Sequence, residues 1–483
     1  LLWQRFMVFQ QGSRRQATSV LTPAVAESGI PFVVGTAPVH TAERPAAVGV
    51  PVLCTSWDEA VAQLGYSENW KDYTLCEVMY SHFKLFGCQP LILCNVLDTA
   101  KMQQDVEAAD LPVSKHQISL PLEALSGSLQ IKASSDAASE ASATEYVAGK
   151  DYEAYYSGEN LIVELLEEGA CFEAESLNVV YAKAVPVEVT TAQVAAGVES
   201  VEYCLSSFGF APDLLLAPGF SQDSVVAAVM AAKAASIGGL FGAKALIDID
   251  CGVEGAKTYA DVLAAKNKAN LVDERQIVCW PMLRLGDYLF HQSTQLAGLI
   301  AQVDTGNGGC PYESSSNKNY QCDGLVLADG AEVRMTLAQA NILNGQGVVT
   351  GLNRGSGWQC WGDWTACYPA NRDVKDYFIP LSRMFDWVGK TLINTFWHKL
   401  DKPMTRRLVD TILDSCNIWL AGLVGSGYLL GARAEMLEAE NPLTSLMAGR
   451  ITLHIYLTPP SPMVSAEFLL EYDASYVSAA LQG

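Results

Sequence analysis

Two aspartates one residue apart, Asp248 and Asp250 in "LIDIDCG", are the side chains of this sequence best spaced to do chemistry. They end an apolar run that reads as a buried parallel strand, where the period of two puts both carboxylates on one face. Open α/β sheets collect ligands and Mg²⁺ at the C-terminal ends of such strands, so the pair would suit a metal-dependent hydrolase or phosphatase-like enzyme. No threonine follows in D-x-D-x-T fashion and no basic partner stands nearby, which makes capping of a turn before a helix at Gly255 the plainer reading.

The second candidate is "GSGWQCWGDWTACYP", residues 355 to 369, with three tryptophans and two cysteines. Cys360 and Cys367 are seven apart, so on a strand they face opposite sides and cannot hold one ion together. Trp358 and Cys360 share a face, and Trp361 takes the other unless Gly362 makes a bulge. Such a strand is either a packed sheet edge or a binding platform. No G-x-S-x-G exists, since Ser356 and Ser426 lack the first glycine, and a P-loop and an H-E-x-x-H are likewise missing. The six histidines share no helix at one-turn spacing. Neither a catalytic centre nor a metal or cofactor is expected.

Composition narrows the partners. Fifty-three acidic residues against 31 basic ones leave a net charge of -22, which repels a phosphate backbone and excludes nucleic acid. Thirteen cysteines without a CxxC fit buried, reduced thiols. Residues 415 to 432 carry a long apolar run, but Gly422, Gly425, Gly427 and Gly431 interrupt it, so it reads as a helix end, a turn and a strand, with no direct membrane insertion. Arg5 within the opening "LLWQRFMVF" argues against a secretory signal, and assembly inside a cell is the expectation.

These residues need elements to hold them. "SGIPFVVGTAPV" and "PLILCNV" read as buried strands, with a helix capped by Ser56 and Glu59 and a second from about Asp72 to Gly87 between them. From residue 98 to 186 the texture changes to short alternating segments, with sixteen Asp and Glu against five Lys, which predicts a small inserted β domain facing solvent. Strands and helices then alternate to about residue 350: helices over 191–208, 222–237, 255–271 and 287–303, a polar surface loop "DTGNGGCPYESSSNKNYQ", and a helix capped by Thr336 and Gln339. Two long helices over 374–400 and 404–424 and three strands close the chain, and Pro459, Pro460 and Pro462 force an extended hinge before the last strand. The fold class is thus multidomain α/β: a parallel α/β sheet domain over 21–97 and 187–350, the insertion over 98–186, an α+β assembly domain over 351–462, and terminal arms at 1–20 and 463–483.

The ordered set "SGIPFVVGTAPV", "VPVLCTSWDEAVAQLG", "APDLLLAPGFS", "VVTGLNRGSGWQCWGDWTACYP", "FIPLSRMFDWVGKTLINTFWHK", "NIWLAGLVGSGYLLGARAEM" and "ITLHIYLTPPSPMVSAEFLLEYD" resembles the tail sheath proteins of contractile bacteriophages and phage-tail-like particles. The resemblance runs from about Thr18 to the C-terminus. It implies a structural protein, not an enzyme, in which the tryptophan strand is only structural. It also implies stacked hexameric rings around an inner tube, assembled in the host cytoplasm, that contract to drive the tube through a cell envelope. The implied partners are other copies of the chain, the inner tail tube protein, and baseplate and tail terminator proteins.

Within that resemblance, Glu467, Phe468, Leu469, Leu470, Glu471 and Tyr472 are the strand donated by the C-terminal arm. Ile451, Leu453, Ile455 and Leu457 belong to the receiving sheet, and a segment before about Val20 is the N-terminal partner. Residues alone agree: an alternating apolar segment beyond a proline hinge can pair with an exposed sheet edge, and a head-to-tail contact of that kind builds rings or tubes. Residues 371–410 hold eight basic residues against five Asp. Part of this region, with Lys399, Lys402, Arg406 and Arg407, is expected either to face the inner tube or to be an ordinary solvated surface.

Overall fold

Apolar runs too short and too continuous for amphipathic helices pair side by side in the computed structural model, which describes residues 27–134 and 145–481. The expected N-terminal arm, residues 1–20 and onward to Val20, lies outside the described residues. Eight strands form the main sheet, in the spatial order Trp358–Trp361, Val348–Asn353, Gln276–Cys279, Lys244–Asp248, Leu214–Leu216, Pro31–Gly35, Leu91–Asn95 and Val52–Cys54. The six inner strands are parallel and the two outer ones antiparallel. Helices Thr191–Glu199 and Ser224–Ala235 add Val194, Val198, Val226 and Met230 to the same core. Gly197 lets the first of them approach closely, because a Cβ there would stand 2.6 Å from Val34 Cγ1.

Residues 103–184 build two antiparallel sheets, with a separate core that includes Ile118, Leu161, Val163, Leu177 and Val179. Alternation is plain in strand Asn160–Leu165, where every second residue is buried. Tyr156 reaches the main body with its ring, which meets His40 edge-on, while its hydroxyl donates to Ala124 O within the unit at 2.8 Å. Glu159 does the same, accepting from Ser67 Oγ at 2.6 Å and Glu68 N at 2.7 Å.

Several expectations need correction. Residues 287–303 are not one helix: strand Tyr288–Phe290 comes first and the helix begins at Gln292, because His291 is extended and its N–H is held by Glu77 at 2.6 Å. The segment 304–321 is no surface loop, since Cys310, Ser315 and Tyr320 are buried and Cys360 N donates to Lys318 O at 2.8 Å. Residues 317–320 therefore cover the outer side of the tryptophan strand, which is not a bare edge. Ser56 caps its helix through Glu59 N, but the Glu59 carboxylate turns to Thr55 rather than completing a box, whereas Thr336 and Gln339 do complete one. All thirteen cysteines are free and twelve are buried, so they pack as small apolar groups.

The C-terminal part hangs on helix Ile379–Phe396. Arg383, Asp386 and Lys390, spaced three and four apart, share one face. Arg383 forms a two-pronged pair with Asp304 at the end of helix Gln292–Gly306, its Nη1 at 3.1 Å. Asp386 takes Arg275 Nη1 at 2.6 Å and Lys244 Nζ at 3.4 Å. Lys390 donates to Asp213 at 2.9 Å and to Ala211 O at 2.6 Å. Burial keeps the Asp213 carboxyl above its ordinary range even beside Lys390, so desolvation outweighs the pairing there. Arg383 and Lys390, counted above among the basic residues of 371–410, thus serve the interior.

Arg383→Met should cost roughly 3–5 kcal/mol, because Asp304 is left buried without its partner, while Arg383→Met combined with Asp304→Leu should recover most of the loss. Urea unfolding of the three proteins checks this, and equal losses in the single and double variants would contradict the ladder.

Candidate functional site

The far end of the chain holds a sheet with only two strands, Gly431–Glu435 antiparallel to His454–Thr458. It lies against helix Arg406–Gly425, and Trp387, Trp419, Leu420 and Ala434 share a core, with the two indoles 5.7 Å apart. This helix is long and apolar enough to cross a membrane by length and composition, yet its apolar face packs on helix Ile379–Phe396. Helix, turn and strand follow each other here as the glycines suggested.

The two edges of the small sheet differ. Asn417 accepts from Ala434 N at 2.8 Å and donates to Ala434 O at 2.9 Å, so helix Arg406–Gly425 occupies that edge of the first strand. Ile455 stands opposite Ala434, and the alternation of antiparallel pairs turns its own N–H and C=O away from the partner strand. The outer edge of His454–Thr458 has no ladder partner among the described residues. Ile455 and Leu457 lie in this strand with their side chains toward the tryptophan core. Ile451 and Leu453 precede it, because Asn441 claims both backbone groups of Thr452 at 2.8 Å and removes that residue from the ladder.

Beyond Thr458 residues 459–473 belong to no helix, strand or turn. Glu467 to Tyr472 pair with nothing among the described residues, and Phe468, Leu469, Leu470 and Tyr472 are 81–97% exposed. An apolar stretch so exposed marks a surface meant to be covered. The basic candidates cluster in the turn between the two long helices. Lys399 is half-buried and Lys402, Arg406 and Arg407 are exposed, next to exposed Trp397 and Leu400. Arg406 and Arg407 open a helix with no acidic residue in its first turn, the end whose dipole disfavours cations. Among the described residues only Asp410, at 3.6 Å from Arg406, forms an ion pair with them.

Asp248 and Asp250 do not work together. Asp248 is buried, and Ser293 holds both its oxygens, the backbone N at 2.9 Å and the hydroxyl on the other oxygen. It therefore caps helix Gln292–Gly306. Asp250 shapes the next turn, accepting from Gly252 N at 2.8 Å. No cluster of three or more His, Cys, Asp or Glu able to hold a metal occurs among the described residues.

No family model matches the chain. It is 25% identical over 479 residues to the tail sheath protein of Burkholderia phage BcepMu, covering 94% of each chain, and 26% identical over 216 residues to that of Escherichia phage P2, covering 43% of this chain and 52% of the other. In structure it is similar to the PVC sheath complex of an extracellular contractile injection system in the contracted state, with a TM-score of 0.58, 13% identity, and 94% and 95% of the two chains covered. A chain in the six-fold symmetrised baseplate of the anti-feeding prophage gives a TM-score of 0.57 at 14% identity over 94% and 96%. The chain is thus similar to tail sheath proteins over nearly its whole length.

Those sheath relatives are structural proteins, not enzymes, and the metal-dependent hydrolase reading of Asp248 and Asp250 falls with the geometry above. What sequence reasoning missed in this sheath-like chain is the packed charge around Asp248. His291 Nδ1 lies 2.8 Å from Glu77 in a buried site. Burial works against the imidazolium, but the Glu77 carboxylate and its hydrogen bond, with Asp248 behind, outweigh it and hold His291 up to about 9. The only sequence signal was an isolated histidine at a helix start.

Because the folded value lies above the unfolded 6.5, this contribution is complete below pH 6.5 and is lost as pH rises through about 9. Stability should fall by about 3 kcal/mol across that window. His291→Gln should flatten the fall in a chemical-denaturation series, and an unchanged pH slope would refute the assignment.

Proposed function

We propose that the chain is the subunit of a contractile tail sheath in a phage tail or tail-like particle, polymerising as stacked rings of six around an inner tube and contracting to drive that tube through a cell envelope. The likeness to tail sheath proteins over nearly the whole chain carries this reading. The six-fold baseplate that contains a similar chain supports rings of six and contact with baseplate proteins. Residues 351–462 act as the assembly domain, 463–483 as the C-terminal arm, and the acidic unit within 98–186 lies at the outer radius.

In the joint between neighbours, Glu467–Tyr472 of one copy adds to the outer edge of His454–Thr458 in the next. A strand there puts Phe468, Leu470 and Tyr472 on one face and Glu467, Leu469 and Glu471 on the other. Burying three large side chains gains about 1.5–3 kcal/mol each before the cost of association. The work comes from the fold and its interfaces, with no nucleotide or cofactor.

Deleting the chain after Ser461 should leave a folded monomer with an unchanged Tm and abolish tubes in negative-stain images. Tubes that persist would remove the arm from the model.

The turn bearing Lys399, Lys402, Arg406 and Arg407 faces the inner tube in this reading, supported by its excess charge in an acidic chain. Reversing Lys399, Lys402 and Arg406 to Glu should lower co-sedimentation with the tube protein at least tenfold at low salt, as expected for several charges of altered sign. Unchanged co-sedimentation would assign these residues to solvent.

A further inference from the structure

The two-stranded sheet has a second face, turned away from the tryptophan core, and its side chains are polar. Arg433 and Glu435 alternate with core-facing Ala432 and Ala434, and His454 and Tyr456 with core-facing Ile455 and Leu457. Tyr456 stands opposite Arg433, and His454 opposite Glu435.

Arg433 does not stay over its own strand. Its Cζ lies 3.7 Å from the centre of the Tyr456 ring, a cation–π contact that carries the guanidinium across to the strand whose outer edge has no ladder partner among the described residues. The His454 ring is 4.2 Å from the same tyrosine, and its Nδ1 lies 2.7 Å from Glu440 Oε1, so that imidazole is already engaged. Arg433 is held more loosely. Among the described residues its one ion pair, with Glu435, measures 3.5 Å, beyond the roughly 2.7–2.9 Å of a charge-assisted hydrogen bond, and its side chain is 60% exposed.

The open edge poses a problem of register. Phe468, Leu470 and Tyr472 recur at every second position, so an arm shifted by two residues presents the same faces and buries nearly the same surface. Apolar contact alone does not choose between such settings. Charge does: residues 459–483 contain Glu467, Glu471 and Asp473 and no lysine or arginine. On the polar face Glu435 and Glu440 meet His454 and repel an acidic residue placed there, whereas Arg433 attracts one placed beside Tyr456.

We propose that Arg433, positioned by the ring of Tyr456, fixes the register of the joint by receiving one glutamate, Glu467 or Glu471, from the neighbouring copy's arm. Adjacent strands stand about 4.8 Å apart, so a side chain beside Tyr456 is within reach of a guanidinium already above that ring. The arginine fork matches the two oxygens of a carboxylate, which an ammonium does not. The assignment rests on the reading of residues 463–483 as an arm that adds to the next copy, and it names the residue that decides where that arm stops.

The test measures the concentration at which full-length chain begins to form sedimenting tubes, with the deletion after Ser461 run alongside. Arg433→Glu should raise that threshold at least about tenfold at unchanged Tm, since an exposed arginine contributes little to the fold. Adding Glu467→Arg or Glu471→Arg should return the threshold to within about threefold of the parent for one of the two and not for the other. Arg433→Lys keeps the charge, loses the fork and should fall between. A threshold indifferent to Arg433→Glu, a loss that neither reversal repairs, or equal rescue by both would overturn the inference. Tubes that survive the deletion would remove the arm reading itself, and this inference with it; tubes lost on deletion yet indifferent to Arg433 would overturn the inference alone.

Discussion

The charge ladder on helix Ile379–Phe396 is the constraint on which the remaining architecture depends. Asp213 and Arg275 precede the two strands of the main sheet that flank the strand begun by Lys244, so the helix lies across the N-terminal ends of three adjacent strands. Asp304 brings in the end of another helix, and Ser28 donates to the same carboxylate at 2.9 Å. Lys390 also reaches Glu27 O at 3.4 Å. One face of one helix thus ties the start of the described chain, the middle of the sheet and the C-terminal helices together. Apolar side chains of the same volume would hold as firmly, since buried pairs recover little beyond their desolvation. What they would not supply is a unique setting: each of the three charges meets its partners at one position only, so a helix shifted by a turn strands three ions.

That rigid join explains why the C-terminal ends of the strands carry no chemistry. An open α/β sheet places its ligand site there, and here Glu77, His291, Asp248 and Ser293 fill the place with hydrogen bonds to one another. Ser293, Thr294 and Gln295 are fully buried at the start of their helix. The polar groups that an enzyme would aim at a substrate are spent on fixing that helix, whose other end delivers Asp304 to Arg383. The two ends of the sheet are linked by a single rigid rod.

The main strands were legible because a buried parallel strand is a continuous apolar run, and "PFVVG", "LILCN" and "KALID" each read that way. The helix, turn and strand over 406–435 were legible from glycine spacing. Arg383 and Lys390 were not: a basic residue on an amphipathic helix reads as solvated, and their partners lie 79 and 177 residues away. Polar composition misled in the same manner at 304–321, where backbone groups rather than side chains bind the tryptophan strand. The resemblance implied Ile451 and Leu453 as sheet residues, and only the position of Asn441 shows why the ladder starts later. The segment 467–472 has a strand's alternation with no ladder partner among the described residues, and a single sequence does not say where that partner lies.

Charge adds a last step. A chain carrying -22 repels its own copies, and at physiological salt that repulsion reaches about 8 Å before it is screened. Copies packed side by side sit within that distance, so their contacts must be locally neutral or opposite in sign. The acidic residues are not spread evenly, since residues 98–186 hold sixteen of them against five lysines. Facing that unit outward, as proposed, would keep half of the net charge away from the joints. If the basic turn at 399–407 faces the inner layer as proposed, it is a place where this acidic chain could accept an acidic neighbour. An arm that adds a strand through backbone bonds and apolar side chains depends little on salt, whereas the basic turn depends on it strongly. In such an assembly the neighbour-to-neighbour joint would outlast changes in ionic strength that loosen the contact with the inner layer, and two layers that must slide past each other need that ranking.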